Sequence, residues 1–126
     1  MHKILLVDQD TSFRMVYAGL LQAQNYTVTE AAHSRQALEA LAVEKFDAII
    51  TEILLPGKNG LKLIQSIRLN PDWLELPIFI LTTLEPIDAH LPASLVSALG
   101  IKAYLVKQQT SPAQMSFALK ALLPAT

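Results

Sequence analysis

The chain has 126 residues, with 10 Lys and Arg against 11 Asp and Glu and a net charge of −1. That length suits one domain, expected over residues 1–126, with a core burying roughly two-thirds of the unfolded surface. The near-neutral balance gives no reason to expect a nucleic-acid backbone or an anionic membrane as partner. The lack of cysteine excludes disulfides and thiolate metal sites and suits a cytoplasmic protein.

Charged residues make up 17% and apolar residues 52%, against a usual charged share of ~25%, so the surface is expected to carry an association patch. In chain order, Lys3 to Val7 is an apolar run rich in branched residues, the mark of a strand buried on both faces. Ending at Asp8, it is too short for a signal peptide or a membrane span. Asp10, Thr11 or Ser12 can cap a first helix with Met15, Ala18, Leu21 and Ala23 at roughly helical spacing, ending by Asn25. Tyr26 to Ala31 alternates threonine with valine, which predicts an edge strand with one wetter face. Ser34 is expected to cap a second helix carrying Ala37, Leu38, Leu41 and Ala42 on one side.

Residues 47 to 52 read as a third strand ending at Glu52, followed by breakers at Pro56, Gly57 and Gly60. A third helix, Leu61 to Leu69, places Leu61, Ile64 and Leu69 toward the sheet, and Asn70-Pro71-Asp72 stops it. Pro77 introduces a fourth strand, Ile78 to Leu81, closed by Thr82 and Thr83. Pro92 suits the first position of a helix reaching Leu99, which Gly100 terminates. Ala103 to Val106 is a fifth strand ending at Lys107. Ser111 caps and Pro112 begins the last helix, with Met115, Leu119 and Leu122 inward. Five alternations of strand and short helix predict an α/β doubly wound five-stranded parallel sheet, order 2-1-3-4-5, with helices on both faces.

In that order strands 1 and 3 are central neighbours, and the switch point between them is where such sheets bind ligands. Asp8 and Gln9 after the first strand, Glu52 on the third, Thr82 after the fourth and Lys107 after the fifth converge there. Two carboxylates, a hydroxyl and an ammonium suit a hydrated divalent cation with a phosphoryl group. Plainer roles stand beside this one: Glu52 as the ion-pair partner of Lys107, Asp8 as a helix cap and Tyr104 as a half-buried aromatic. His2, His33 and His90 lack ligand spacing and are expected at the surface. Trp73 either covers a helix end or meets a partner.

The pieces Ile4-Leu5-Leu6-Val7-Asp8, Tyr26-Thr27-Val28 through Ala37-Leu38, Phe46-Asp47 to Asn59-Gly60, Pro77 to Thr82, and Ala103-Tyr104-Leu105-Val106-Lys107 occur in one order. Together they resemble the receiver domain of two-component response regulators, across essentially the whole chain. The resemblance implies an aspartate four residues before the third-strand proline that takes a phosphoryl group from a histidine kinase. Here that position is Glu52, four before Pro56. It also implies two adjacent acids that hold Mg²⁺, where this chain has Asp8 and the neutral Gln9, and a proline after the lysine, where Gln108 follows Lys107. Thr82 matches the switch hydroxyl, Lys107 the phosphoryl-contacting amine and Tyr104 the aromatic that moves with activation.

Glutamate carries its carboxylate over an ångström beyond aspartate, and misplacement on that scale can lower a rate roughly 10²-fold. Gln9 weakens a Mg²⁺ site that would rest on Asp8 and Glu52, so no cofactor is expected with certainty. The expectation is therefore a pseudo-receiver, not an enzyme, that acts by protein contacts, with Glu52 holding an activated-like state. A working phosphoacceptor is the alternative. A flavodoxin-like ligand binder is disfavoured because no strand-to-helix loop is a glycine-rich phosphate cradle. Expected partners are a histidine kinase or a downstream effector, with homodimerisation through the face of the fourth helix, fifth strand and fifth helix.

Overall fold

The computed structural model describes residues 2–57 and 59–123. In chain order the elements are β1 (Lys3–Val7), α1 (Thr11–Gln22), β2 (Thr27–Ala31), α2 (Ser34–Val43), β3 (Ala48–Thr51) and α3 (Gly60–Leu69). They continue as β4 (Ile78–Thr82), a one-turn α4 (Pro86–Ala89), α5 (Ala93–Ala98), β5 (Ile101–Val106) and α6 (Pro112–Leu122). All sheet pairings are parallel, and the order is β2-β1-β3-β4-β5, as the strand–helix alternation predicts.

Successive residues of the central strands point to opposite faces, and both faces are dry. Ile4, Leu6, Ala48, Ile50, Phe79 and Leu81 pack with Tyr17, Ala18 and Leu21 of α1 and with Met115 and Leu119 of α6. Leu5, Val7, Ile49, Ile78 and Ile80 pack with Ala37 and Leu41 of α2 and with Leu63, Ile64 and Ile67 of α3. Burial on both sides is why these runs are continuously apolar and why helices must cover each face. β2 and β5 are the edges.

Several helix faces differ from the sequence reading. On α1, Tyr17 is buried whereas Met15 is 59% exposed and Ala23 is the C-terminal cap residue. At 100° per residue Met15 lies about 200° from Tyr17, so both cannot face the sheet. The same geometry turns Leu69, 84% exposed, away from Ile67. Leu123, rather than Leu122, completes the inner face of α6. Further along, α2 is capped by His33, whose Nδ1 accepts from the Gln36 N–H at 3.2 Å, and Ser34 is its first residue. Pro92 is the cap of α5, not its first residue, and α4 occupies part of what the sequence left as loop.

The remaining signals are seen in place. Gly100 closes α5 with φ +66°, a conformation that favours glycine. Ser111 and Gln114 form a reciprocal capping box at the start of α6. Trp73 is half-buried against the core on the α3 side, and its carbonyl accepts from Arg68 Nη1 at 2.8 Å.

Candidate functional site

The register that buries the strands also aligns their ends. Val7 pairs with Thr51, and Thr82 with Val106, so Asp8, Glu52 and Lys107 leave the sheet side by side at its C-terminal edge. Backbone bonds fix the first two: the Asp8 N–H donates to Ala31 O at 3.0 Å and the Glu52 N–H to Val7 O at 2.9 Å.

The Lys107 ammonium sits between the two carboxylates, 2.7 Å from Asp8 Oδ2 and 3.0 Å from Glu52 Oε2. Each carboxylate side chain is 3% exposed and the lysine 11%. The ammonium also lies 4.1 Å from the centroid of the Phe13 ring, within cation–π range. Burial opposes its charge, but the hydrogen bonds and fields of Asp8 and Glu52 outweigh that, and the lysine pKa is raised above its ordinary value.

The outer oxygens are also engaged. Asp8 Oδ1 accepts from the Asp10 N–H at 2.9 Å, and Glu52 Oε1 accepts from the N–H groups of Ile53 at 2.8 Å and Leu54 at 3.1 Å. Asp8 is not the cap of α1; Asp10 is, accepting from the Phe13 N–H at 3.0 Å. Gln9 turns away from the carboxylates, and its Nε2 donates to Leu54 O at 3.0 Å.

Thr82 is fully buried beside this group but is not hydrogen-bonded to Glu52 or Lys107. Its hydroxyl accepts from the Leu84 N–H at 3.3 Å, because the chain turns back over the strand end. The Tyr104 phenol donates to the carbonyl of the same Leu84 at 2.8 Å. Tyr104 is half-buried against the core; burial and the negative charges of Glu52, Glu85 and Asp88 push its pKa up. Gln108, where the resembled family has proline, uses its Nε2 to reach Thr83 O at 3.3 Å.

Two contributors escaped the sequence reading. Phe13 looks like a core residue by its apolar character, and nothing in its spacing reveals that it lies against Lys107. Arg14 donates from Nη1 to Asp8 O at 2.7 Å and from Nε to Glu30 Oε1 at 3.0 Å, tying the first strand end to β2. The Gln9–Leu54 bond likewise becomes legible only once the third-strand loop is folded over the first.

As disposed, Lys107 stands where Asp8 and Glu52 could together hold Mg²⁺. A magnesium ion requires near-octahedral oxygen ligation. Here all four carboxylate oxygens already accept hydrogen bonds, and the ammonium of Lys107 fills the space between Asp8 and Glu52. A dication would have to displace it. Among the described residues no group of three acidic, histidine or cysteine side chains is arranged to hold a metal. Two clefts of about 740 and 770 Å³ lie elsewhere, one along α2 by Leu38 and Pro56, the other between Phe46 and Trp73; neither takes in Asp8, Glu52 or Lys107. No helix among the described residues is long and apolar enough to cross a membrane.

Comparison with known proteins agrees with this architecture. The family model described as the response regulator receiver domain matches residues 4–119. The chemotaxis protein CheY of Pseudomonas aeruginosa is 30% identical over 110 residues, 86% of each chain. Response regulator MprA of Mycolicibacterium vanbaalenii is 31% identical over 89 residues, 71% of this chain and 38% of that protein. The chain thus spans less than half the length of some curated relatives. Among solved structures, the chemotaxis protein CheY4 of Vibrio cholerae crystallised at low pH is 30% identical, with TM-score 0.85 over 98% of this chain and 99% of that one. The response regulator TrrA of Thermotoga maritima, solved in complex with Mg²⁺ and BeF, is 27% identical, with TM-score 0.81 over 98% and 100%.

Proposed function

This chain belongs to the response regulator receiver domain family, and from that membership we propose that it is a pseudo-receiver: a signalling module that acts through protein contacts without cycling through an acyl phosphate. One observation carries the reading. At the position where the resembled family has its phosphoacceptor aspartate, this chain has Glu52, and both oxygens of that carboxylate are committed, one to Lys107 and one to the backbone of Ile53 and Leu54. Lone pairs remain on both oxygens, but the side chain is 3% exposed and its Oε2 is held against Lys107 and away from a donor in solvent. The neutral Gln9, bonded to Leu54 O, adds no ligand charge for the Mg²⁺ on which phosphoryl transfer in the family depends.

The same reading makes Glu52 a stand-in for the phosphorylated state. Its Oε2 engages Lys107, the amine that contacts the phosphoryl group in the family, while Thr82 and Tyr104 grip the two backbone groups of Leu84 from the inside. The half-buried Tyr104, bonded to Leu84 O, supports an activated-like conformation; Thr82, bonded to the Leu84 N–H and not to Glu52, does not add to that support. Partners are then a histidine kinase or an effector in the cytoplasm. Self-association would use the face of α5, β5 and α6, where β5 is a sheet edge and Phe117 is 77% exposed; light scattering across a concentration series would return a constant monomer mass if that dimer does not form.

The decisive experiment is the intact mass after incubation with Mg²⁺ and acetyl phosphate. No change is expected. A gain of one phosphoryl group on the wild-type chain would overturn the pseudo-receiver reading in favour of a working phosphoacceptor. The double change Glu52→Asp with Gln9→Asp should gain that group.

A further inference from the structure

Gln9 and Glu52, the two positions at which the chain departs from the acids of its family, meet on a single third residue. Leu54 has its N–H taken by Glu52 Oε1 at 3.1 Å and its carbonyl taken by Gln9 Nε2 at 3.0 Å. One bond comes from the residue just past the end of β3 and the other from the second residue past the end of β1. Both polar groups of one loop peptide segment are therefore held from the two strands that flank the switch point.

Leu54 depends on these bonds more than its neighbours do. Ile53 and Leu55 are anchored by buried side chains, whereas the Leu54 side chain is 43% exposed and packs into neither core cluster. Ile53 is further pinned through its carbonyl, which accepts from the Gly60 N–H at 2.8 Å and the Leu55 N–H at 3.0 Å. At Leu54 the backbone is secured by Glu52 and Gln9. Reversion of Gln9 to an acid would undo its bond, because an ionised acid has no hydrogen to donate to a carbonyl. An aspartate at 52 could still accept from the Leu54 N–H, as Asp8 does from the Asp10 N–H, so the Glu52 bond is broken only by removing the acceptor.

We infer that Gln9 and Glu52 are a coupled pair of positioning residues that clamp the β3–α3 loop at Leu54, so that the two departures form one structural device. The loop keeps one shape, and the surface it offers a partner does not wait on a phosphoryl donor. The identity of the two departures rests on the receiver reading, but the clamp does not depend on whether the chain is phosphorylated.

Amide hydrogen exchange of the full chain by NMR tests it, read at the Leu54 N–H with the Ile50 N–H of β3 as internal reference. Gln9 touches the carbonyl of Leu54 and not its N–H, so an effect of Gln9 on that N–H reports coupling. Gln9→Glu, which keeps the shape and loses the donor, should speed Leu54 exchange roughly threefold to tenfold and leave Ile50 unchanged. Gln9→Leu should match it. Glu52→Leu, which removes the acceptor, should act in the same range, and the double variant Gln9→Leu with Glu52→Leu should exchange close to the faster single variant rather than at the product of the two effects. Unchanged Leu54 exchange in both Gln9 variants, strictly multiplicative effects, or equal acceleration at Ile50 would each overturn the clamp. If Glu52→Leu does not fold, the two Gln9 variants still decide. Phosphorylation of the wild type would defeat the pseudo-receiver reading and leave this result untouched.

Discussion

Glu52 Oε2 lies 3.0 Å from Lys107 Nζ, with both side chains almost closed to water. That pair, completed by Asp8 at 2.7 Å, places two negative charges and one positive charge in a buried cluster at the sheet edge. Such a cluster is weak grounds for net stability while intact, yet strongly destabilising when one member is lost.

Lys107→Met should therefore lower the unfolding free energy by about 3–5 kcal/mol, since it leaves two buried carboxylates facing each other without a cation. Urea denaturation at neutral pH measures it. A loss below about 1 kcal/mol would mean that water already screens the group as it does a surface pair.

Gly60 opens α3 against the backbone of the preceding loop. A Cβ there would collide with the Glu52 carbonyl oxygen and lie 2.8 Å from Ile53 Cα. Both obstacles are main chain, so Gly60→Ala must shift the loop that holds Glu52, with an expected destabilisation of about 1–3 kcal/mol or more. Thermal unfolding checks the loss.

Tyr17 buries its hydroxyl without a hydrogen-bond partner among the described residues, and burial pushes its pKa above the ordinary tyrosine value. Removing an unsatisfied buried group should cost nothing. Tyr17→Phe is expected to hold or raise stability, by up to about 1–3 kcal/mol, while keeping the ring stacked on Phe13. A clear fall in melting temperature would show that the hydroxyl has a partner in solution.

Stability should fall in alkali rather than near neutrality. The pKa values of Lys107 and Tyr104 are raised in the folded chain. Between the unfolded and folded values the native state binds more protons, so unfolding becomes easier as pH rises through that window. The contribution is fully present below the unfolded values, about 10 for tyrosine and about 10.4 for lysine, and is lost as pH rises from there through the raised folded values. Urea midpoints measured from pH 7 to pH 11 should show little loss from these groups until about pH 10. Tyr104→Phe should remove its own share of the later decline.

Much of the fold was legible because parallel strands buried on both faces must be continuously apolar, and crossover helices between them leave few topologies. Lys3–Val7 and Ile78–Thr82 carry that signal with no competing reading. The errors fell where a helix has apolar residues on more than one side. Met15 on α1 and Leu69 on α3 satisfy an apolar count, but only packing chooses which 100° stripe meets the sheet.

At the site, the groups that reach the C-terminal edge are legible in the chain: Asp8, Gln9, Glu52, Thr82 and Lys107 each follow or end a recognisable strand. The Glu52–Lys107 ion pair is itself among the readings the sequence offers; the other pairings come only from tertiary structure. Whether Gln9 faces the carboxylates or Leu54, whether Thr82 meets Glu52 or Leu84, and that Phe13 lies against Lys107 depend on how loops distant in sequence close over the sheet. Strand periodicity is a local property written residue by residue, whereas a hydrogen-bond partner is selected by competition among every group that folding brings within about 3 Å.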